Sequence, residues 1–312
     1  MGADLAGEAL RTAALARWAW RSEINHQVVN TDIDGLLTGA LLHHEFDWPI
    51  IGFSDTAHSW IDSRVPTPLD LRETTWVDLD MCVPGSRSIS QHVVSNTAAE
   101  AELVTAFAES VNPNLLVGRH RLDRYTDKYP YGTFQWVAWL VGNELGTSTG
   151  DAIASGLAWM PDGGAFSLSN FRSNCLDWAI TKMQGSSLAP IASGDAATAV
   201  EHVRQAESYL RRKSGVLSGW SRTHQWSMPR GSVGGLAAPF AHAPVQALLD
   251  AITEFYGWKP AVIPTRYKPF SALWQAGRQP PGWPHSANRR QVVSVAVTSR
   301  NGWCWTENKP PL

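Results

Sequence analysis

The sequence predicts an α/β fold built on a parallel sheet, and three observations carry that prediction. Strand-like and helix-like segments alternate through the first half of the chain, the order that wraps a parallel sheet in helices. Apolar runs end in aspartate, as in Val28-Val29-Asn30-Thr31-Asp32-Ile33-Asp34-Gly35, which is how strand tips present ligands. Of the 312 residues, 44% are hydrophobic, enough to build a sizeable core.

The elements follow from periodicity and punctuation. Residues 6–20 read as a helix, 27–31 as a strand, 35–46 as a helix, then 50–54, 75–79 and 87–91 as strands, and 97–110 as a helix. Residues 133–145 read as a buried helix with Thr133 near its N-cap, and a further helix follows from Asp151. Gln184–Asp195, rich in Ser, Gly, Ala and Pro, reads as a linker. Beyond it, 195–213 forms a helix with basic residues in its last turn before Gly215, 244–256 one stopped by Gly257, and 291–299 an alternating strand. The predicted organisation is a parallel-sheet domain over 1–185 with helices on both faces, and a smaller α/β domain over 195–312. Trp18, Trp20, Trp136 and Trp139 recur at helical spacings that fit a core.

Composition excludes several classes. No apolar run approaches the ~20 residues of a membrane span. Asp4 and Glu8 stand where a secretory leader is basic, and Ala6 where a myristoylation signal carries Ser or Thr, so a cytoplasmic protein is expected. Cys82, Cys175 and Cys304 form no closely spaced pair, which predicts buried thiols and no disulfide framework or zinc ribbon. Charge is uneven: residues 1–150 carry 10 Lys and Arg against 19 Asp and Glu, and residues 151–312 carry 16 against 9. An acidic half suits cations and a basic half suits an anionic substrate; mutual attraction of two solvated domains accounts for the same asymmetry.

In an open parallel sheet, ligands gather at the carboxyl ends of the strands. Those ends present Asp32 and Asp34, then Asp55, then Asp78 and Asp80, then His92. Asp32 and Asp34 lie two apart, so on extended backbone both carboxylates face one cation, with Gly35 turning the chain into the next helix. Singly, each aspartate suits a helix cap or turn; together they predict a shared metal site. Hard oxygen donors with an imidazole and no thiolate favour Mn²⁺ or Mg²⁺ over zinc.

The series resembles the DHH phosphoesterase superfamily over about residues 25–180. Asp32-Ile33-Asp34-Gly35 resembles its first motif, Trp76-Val77-Asp78-Leu79-Asp80 its second, Ser90-Gln91-His92 its Asp-His-His motif, and Pro161-Asp162-Gly163-Gly164 its fourth. Tyr129-Pro130-Tyr131-Gly132-Thr133 is similar to the segment before that last motif. The resemblance implies that Asp32, Asp34, Asp78 and Asp162 bind metal and take part in catalysis, with His92 as ligand or phosphate contact. The chain departs from the family at Ser90-Gln91, where a carboxylate and an imidazole are missing, which weakens a second cation and leaves either one-metal hydrolysis or no catalysis. His120, in Gly118-Arg119-His120-Arg121, reads as a surface-loop histidine, with replacement of the missing imidazole as the alternative. The resemblance also implies a substrate-gripping C-terminal segment. Arg230, Gly234 and Gly235 fit an anion nest, and Arg289 and Arg290, with Arg266, Lys268 and Arg300, fit a positive lining.

The expected function is hydrolysis of phosphodiesters in single-stranded or short oligonucleotides, or in nucleotides, with Mn²⁺ or Mg²⁺ as cofactor. The alternative is a catalytically degenerate nucleotide- or nucleic-acid-binding subunit of a larger assembly or homo-oligomer. A haloacid dehalogenase-like phosphatase, with Asp32 as nucleophile and Asp34 as acid/base, fits less well: Leu36 stands where that class has Thr, and Asp78, Asp80 and His92 would be idle.

Overall fold

The computed structural model describes residues 4–54, 59–146, 151–214, 231–233, 236–238, 242–270, 273–288 and 291–307. Its centre is a mixed, mostly parallel seven-stranded sheet. The strands are β1 (His26–Asn30), β2 (Ile50–Ser54), β3 (Ser59–Asp62), β4 (Thr74–Val77), β5 (Arg87–Ile89), β6 (Ser110–Val111) and, from late in the chain, β9 (Tyr267–Phe270), with the short hairpin strands β7 (Gly231–Val233) and β8 (Leu236–Ala238) between. The spatial order is β6-β5-β4-β1-β2-β3-β9. The five strands from β6 to β2 are parallel; β3 runs antiparallel to β2, and β9 runs antiparallel to β3 at the sheet edge.

That order has a functional consequence. From β1 the chain moves one way to β2 and then crosses back to β4, β5 and β6 on the other side. The carboxyl ends of β1 and β4 therefore meet where the winding reverses, the place where open sheets leave a ligand crevice.

The two sheet faces are buried differently. Phe53, Val29, Val77, Ile89 and Val111 lie in register on one face and share a core with helices Gly7–Arg17, Ile33–Phe46 and Thr133–Val141. Each such side chain contributes about 1.5–3 kcal/mol by leaving water. Val28 and Trp76 point the other way, onto Val65, Leu69, Leu71, Leu79, Met81 and Val293. Among the described residues that second face is thus covered by loop side chains and one late strand, and the expectation of helices on both faces is corrected. The segment 63–73 between β3 and β4 supplies Leu69 and Leu71 in irregular backbone.

The helix Ile33–Phe46 is seated by glycine. A Cβ on Gly35 would lie 2.3 Å from the Asn30 carbonyl oxygen, and one on Gly39 2.8 Å from Val29 Cγ1. Gly35 is therefore needed for close approach of helix to strand, and not for a turn.

Sequence periodicity located most elements within a few residues, and two readings are corrected. Residues 97–110 do not form one helix; a short helix Ala98–Glu102 is followed by a 3-10 turn at Thr105–Glu109 and by β6. The predicted linker contains the helix Leu188–Ser193, with Leu188 and Ala192 buried. Small residues there serve close packing as well as they would serve a loop. The four tryptophans singled out from the sequence are all buried.

The late strands β10 (Leu273–Gly277), β11 (Val292–Ser299) and β12 (Gly302–Glu307) form an antiparallel sheet in the order β10-β12-β11. Strand β11 runs along the segment following β4. Cys82 N donates to Val293 O at 2.7 Å, Val295 N to Asp80 O at 3.1 Å, and Val297 N to Val93 O at 2.7 Å. Both stretches of the chain thus build the walls around the carboxyl ends of β4 and β5. Among the described residues, no helix is long and apolar enough to cross a membrane.

Candidate metal centre and its pocket

Asp32 and Asp34 follow β1 but do not share a direction, because the helix starts at Ile33 and Asp34 sits in its first turn. The two carboxylates therefore do not face one cation from extended backbone, contrary to the expectation from their spacing. Asp32 is the N-cap; its Oδ1 accepts from Gly35 N at 2.9 Å and its Oδ2 from the Asn30 amide at 3.1 Å. Asp34 is fully buried and turns to the neighbouring helix Thr133–Val141, accepting from Thr133 N at 2.7 Å and Phe134 N at 2.8 Å. A carboxylate satisfying two orphan amides at a helix N-terminus is a strong cap. Gly132 makes room for it, since a Cβ there would lie 2.6 Å from Asp34 Oδ2.

Asp78 leaves β4 with φ of 58°, a left-handed conformation that swings its side chain over the sheet end. Its Oδ2 accepts from Asn30 Nδ2 at 2.8 Å and its Oδ1 from Thr133 Oγ1 at 2.8 Å. Asn30 thus ties Asp32 to Asp78. Each carboxylate oxygen of Asp78 keeps a second lone pair. Asp162 also has positive φ, 47°, just before Gly163 at 66°, and its Oδ2 accepts from the Gln91 amide.

His92 completes the group. Its Nδ1 lies 2.9 Å from Asp80 Oδ2, leaving Nε2 as the ring nitrogen open to a ligand. Asp80, whose side chain has no solvent exposure, is itself held: its Oδ1 accepts from Asn112 Nδ2 at 2.8 Å and from Ser90 Oγ. Asn112 Nδ2 also donates to the His92 carbonyl at 2.8 Å. Orientation of a ligating imidazole by a buried carboxylate is a recurring arrangement around metals.

One ligand atom each from Asp78, His92 and Asp162 lies within 4.8 Å of the others. This Asp-His-Asp group, with Asp78 buried and His92 and Asp162 half-buried, could hold a metal ion. Asp32 and Asp34 are not in that group but adjoin it, and their charges are felt there. Burial, and next the Asp162 charge, push Asp32 up to about 7. Burial is the first cause and neighbouring carboxylates the second for the upward shifts of Asp34 and Asp78. Burial also raises Asp162, against the pull of His92 and Lys128. For His92, burial alone would lower the pKa, but the Asp80 hydrogen bond and charge, with Asp162 and Asp32, carry it up to about 9. Crowded, dehydrated carboxylates repel, and a cation among them removes that cost.

The group forms part of the wall of a cavity of about 660 Å³. Asn30, Asp80, Gln91, Lys128 and Asn174 add polar wall; Tyr125, Phe166, Phe171 and the β11 residues Ser294–Thr298 add a largely apolar one. No family model matches the chain, and no curated protein or solved structure is significantly similar to it.

The other sequence candidates fall elsewhere. Asp55, Arg230, Gly234, Gly235, Arg289 and Arg290 lie outside the described residues. Lys268 donates to the Val65 carbonyl at the β9 edge, at 2.5 Å, away from the cavity. Arg300 is in the cavity wall. The surface-loop reading of His120 is corrected: it is 3% exposed, its Nδ1 2.7 Å from Ser95 Oγ, in a buried bond of the 95–120 segment. Cys82 and Cys175 are buried as free thiols and Cys304 half-buried. Sequence reasoning missed Asn30, Gln91, Asn112 and Lys128 as parts of the site. Asn30 and Asn112 directly follow or border apolar strand residues, the one signal that could have marked them.

Proposed function

We propose that the chain is a divalent-metal-dependent phosphodiesterase of the DHH-like kind, acting on nucleotides or short single-stranded oligonucleotides with Mn²⁺ or Mg²⁺. The observation that carries this reading is the convergence of Asp78, His92 and Asp162 within 4.8 Å beside a ligand-sized cavity. Two carboxylates and one imidazole without a thiolate form a donor set suited to a hard cation. Asp78, Asp162 and His92 Nε2 would hold it, and once bound it supplies Lewis-acid charge to a phosphoryl oxygen. Asp80 fixes the imidazole, Asn30 and Thr133 fix Asp78, and Gln91 fixes Asp162.

The same contacts support a second reading, a degenerate nucleotide-binding subunit. Gln91 places an amide on Asp162 at the motif where the DHH-like pattern has a ligand, and Asp34 spends both oxygens on helix amides. Hydrolysis of bis(p-nitrophenyl) phosphate after EDTA treatment and Mn²⁺ addition separates the two. Mn²⁺-dependent turnover that disappears in Asp78→Asn supports the enzyme; a Mn²⁺-induced rise in melting temperature without turnover supports the binding subunit. Turnover unaffected by Asp78→Asn sinks the enzyme reading.

A further inference from the structure

Lys128 stands apart from the acidic cluster chemically while sharing its cavity. Among the described residues its ammonium makes no ion pair; it lies 5.4 Å from the Tyr125 ring centroid in the cavity wall. Its backbone is fixed by Asn174, which donates to the Lys128 carbonyl at 2.8 Å. Lys128 and the Asp78–His92–Asp162 group line the same cavity; burial lowers this ammonium and the Asp162 charge opposes that. An unpaired cation beside a metal group is a site for an anion bridging the two.

A second feature lies in the same wall. Phe171 is 58% exposed, at the start of the helix Arg172–Leu176. Phe166, 41% exposed, lines the same cavity, so the wall carries two exposed aromatic side chains among polar ones, the make-up of a ligand-binding groove. Aromatic faces take nucleobases by stacking, whatever the base. The cavity volume, about 660 Å³, suits one small ligand.

We infer that this cavity binds a mononucleotide in one polarity, its phosphate between Lys128 and the Asp78–His92–Asp162 group and its base against Phe171. The inference rests on the metal-site reading for the identity of the phosphate's second partner, and assigns a small nucleotide in place of a polymer.

The test is equilibrium binding of AMP and of inorganic phosphate to the full chain by calorimetry, with and without Mn²⁺. In the wild type, AMP binds at least about fivefold tighter than phosphate, the lower end of base stacking. Lys128→Gln weakens both ligands at least fivefold. Phe171→Ala weakens AMP at least fivefold and leaves phosphate unchanged; the exposed side chain makes this variant safe for folding. Lys128→Arg, which keeps the charge, retains binding and guards against a Lys128→Gln variant that misfolds. Smaller losses in either variant, equal affinity for AMP and phosphate, or an oligothymidylate binding tighter than AMP overturn the assignment. Melting curves with Mn²⁺ on the same samples separate the two ideas. The expected AMP pattern in a protein indifferent to Mn²⁺ overturns the metal reading alone, and a Mn²⁺ shift without AMP binding overturns the nucleotide pocket alone.

Discussion

The Asp80 carboxylate, itself without solvent exposure, holds His92 Nδ1 at 2.9 Å and so selects Nε2 as the nitrogen left for a ligand. Asp80 does not belong to the Asp78–His92–Asp162 group, and its role is to position. Asp80→Asn should therefore lower Mn²⁺ affinity by about 10- to 100-fold, the usual cost of losing an outer-shell carboxylate. Calorimetric titration with Mn²⁺ reads this directly. Affinity within twofold of wild type would mean the imidazole is oriented by something else.

Asp162 gives the opposite pairing of stability and binding. Its charge raises Asp32 and adds to the upward shifts of Asp34 and Asp78. Asn tolerates its left-handed backbone. Asp162→Asn should raise the melting temperature of the EDTA-treated protein while abolishing the rise caused by Mn²⁺. A lower metal-free melting temperature refutes the idea that these carboxylates strain the apo fold.

Stability should fall with pH when metal is stripped. Asp32 titrates at about 7 in the fold against an ordinary 3.8, so the folded state holds an extra proton between those values. That contribution is present at low pH and is lost as pH rises through about 7. His92, raised to about 9 from 6.5, contributes fully below 6.5 and loses its contribution through about 9. Melting temperatures in EDTA should drop from pH 5 to pH 9. Saturating Mn²⁺ should oppose the drop, because its ligands bind it deprotonated. Melts at pH 5, 7 and 9 that coincide in EDTA would contradict the assigned shifts.

Asp34 should behave as a structural residue. Its two oxygens cap the helix Thr133–Val141 at 2.7 and 2.8 Å, so Asp34→Ala leaves two buried amides unsatisfied. A loss of about 2–4 kcal/mol in urea unfolding is expected, from about 1–3 kcal/mol per orphaned buried group. Gly132→Ala should destabilise comparably by a different route, its Cβ colliding with the Asp34 carboxylate and Pro161. Either variant unfolding at the wild-type midpoint would remove Asp34 from the helix cap.

Some of this was legible in the sequence and some was not. The strand and helix periods placed β1, β2, β4 and the helix Ile33–Phe46 within a few residues, since alternation and 3.6-residue spacing are local properties of the chain. The same local pattern marked Asp32, Asp78 and His92 as strand-end residues, while Asp162 came only from the family resemblance. Local pattern could not say that Asp34 would turn to Thr133 and Phe134, about a hundred residues away. Nor could it separate the ligand-type role of Asp78 from the positioning role of Asp80, two residues on.

By itself, then, the sequence determined an α/β chain with acidic strand ends and an imbalance of charge between its halves. Tertiary structure alone decided which carboxylates converge. The reversal of winding between β1 and β4 brings Asp78 beside Asn30, β5 delivers His92, and the left-handed turn at Asp162 brings a fourth segment to the same point. Distances between such segments depend on strand order and helix packing, which hydrogen bonding and burial settle only when the whole chain has folded.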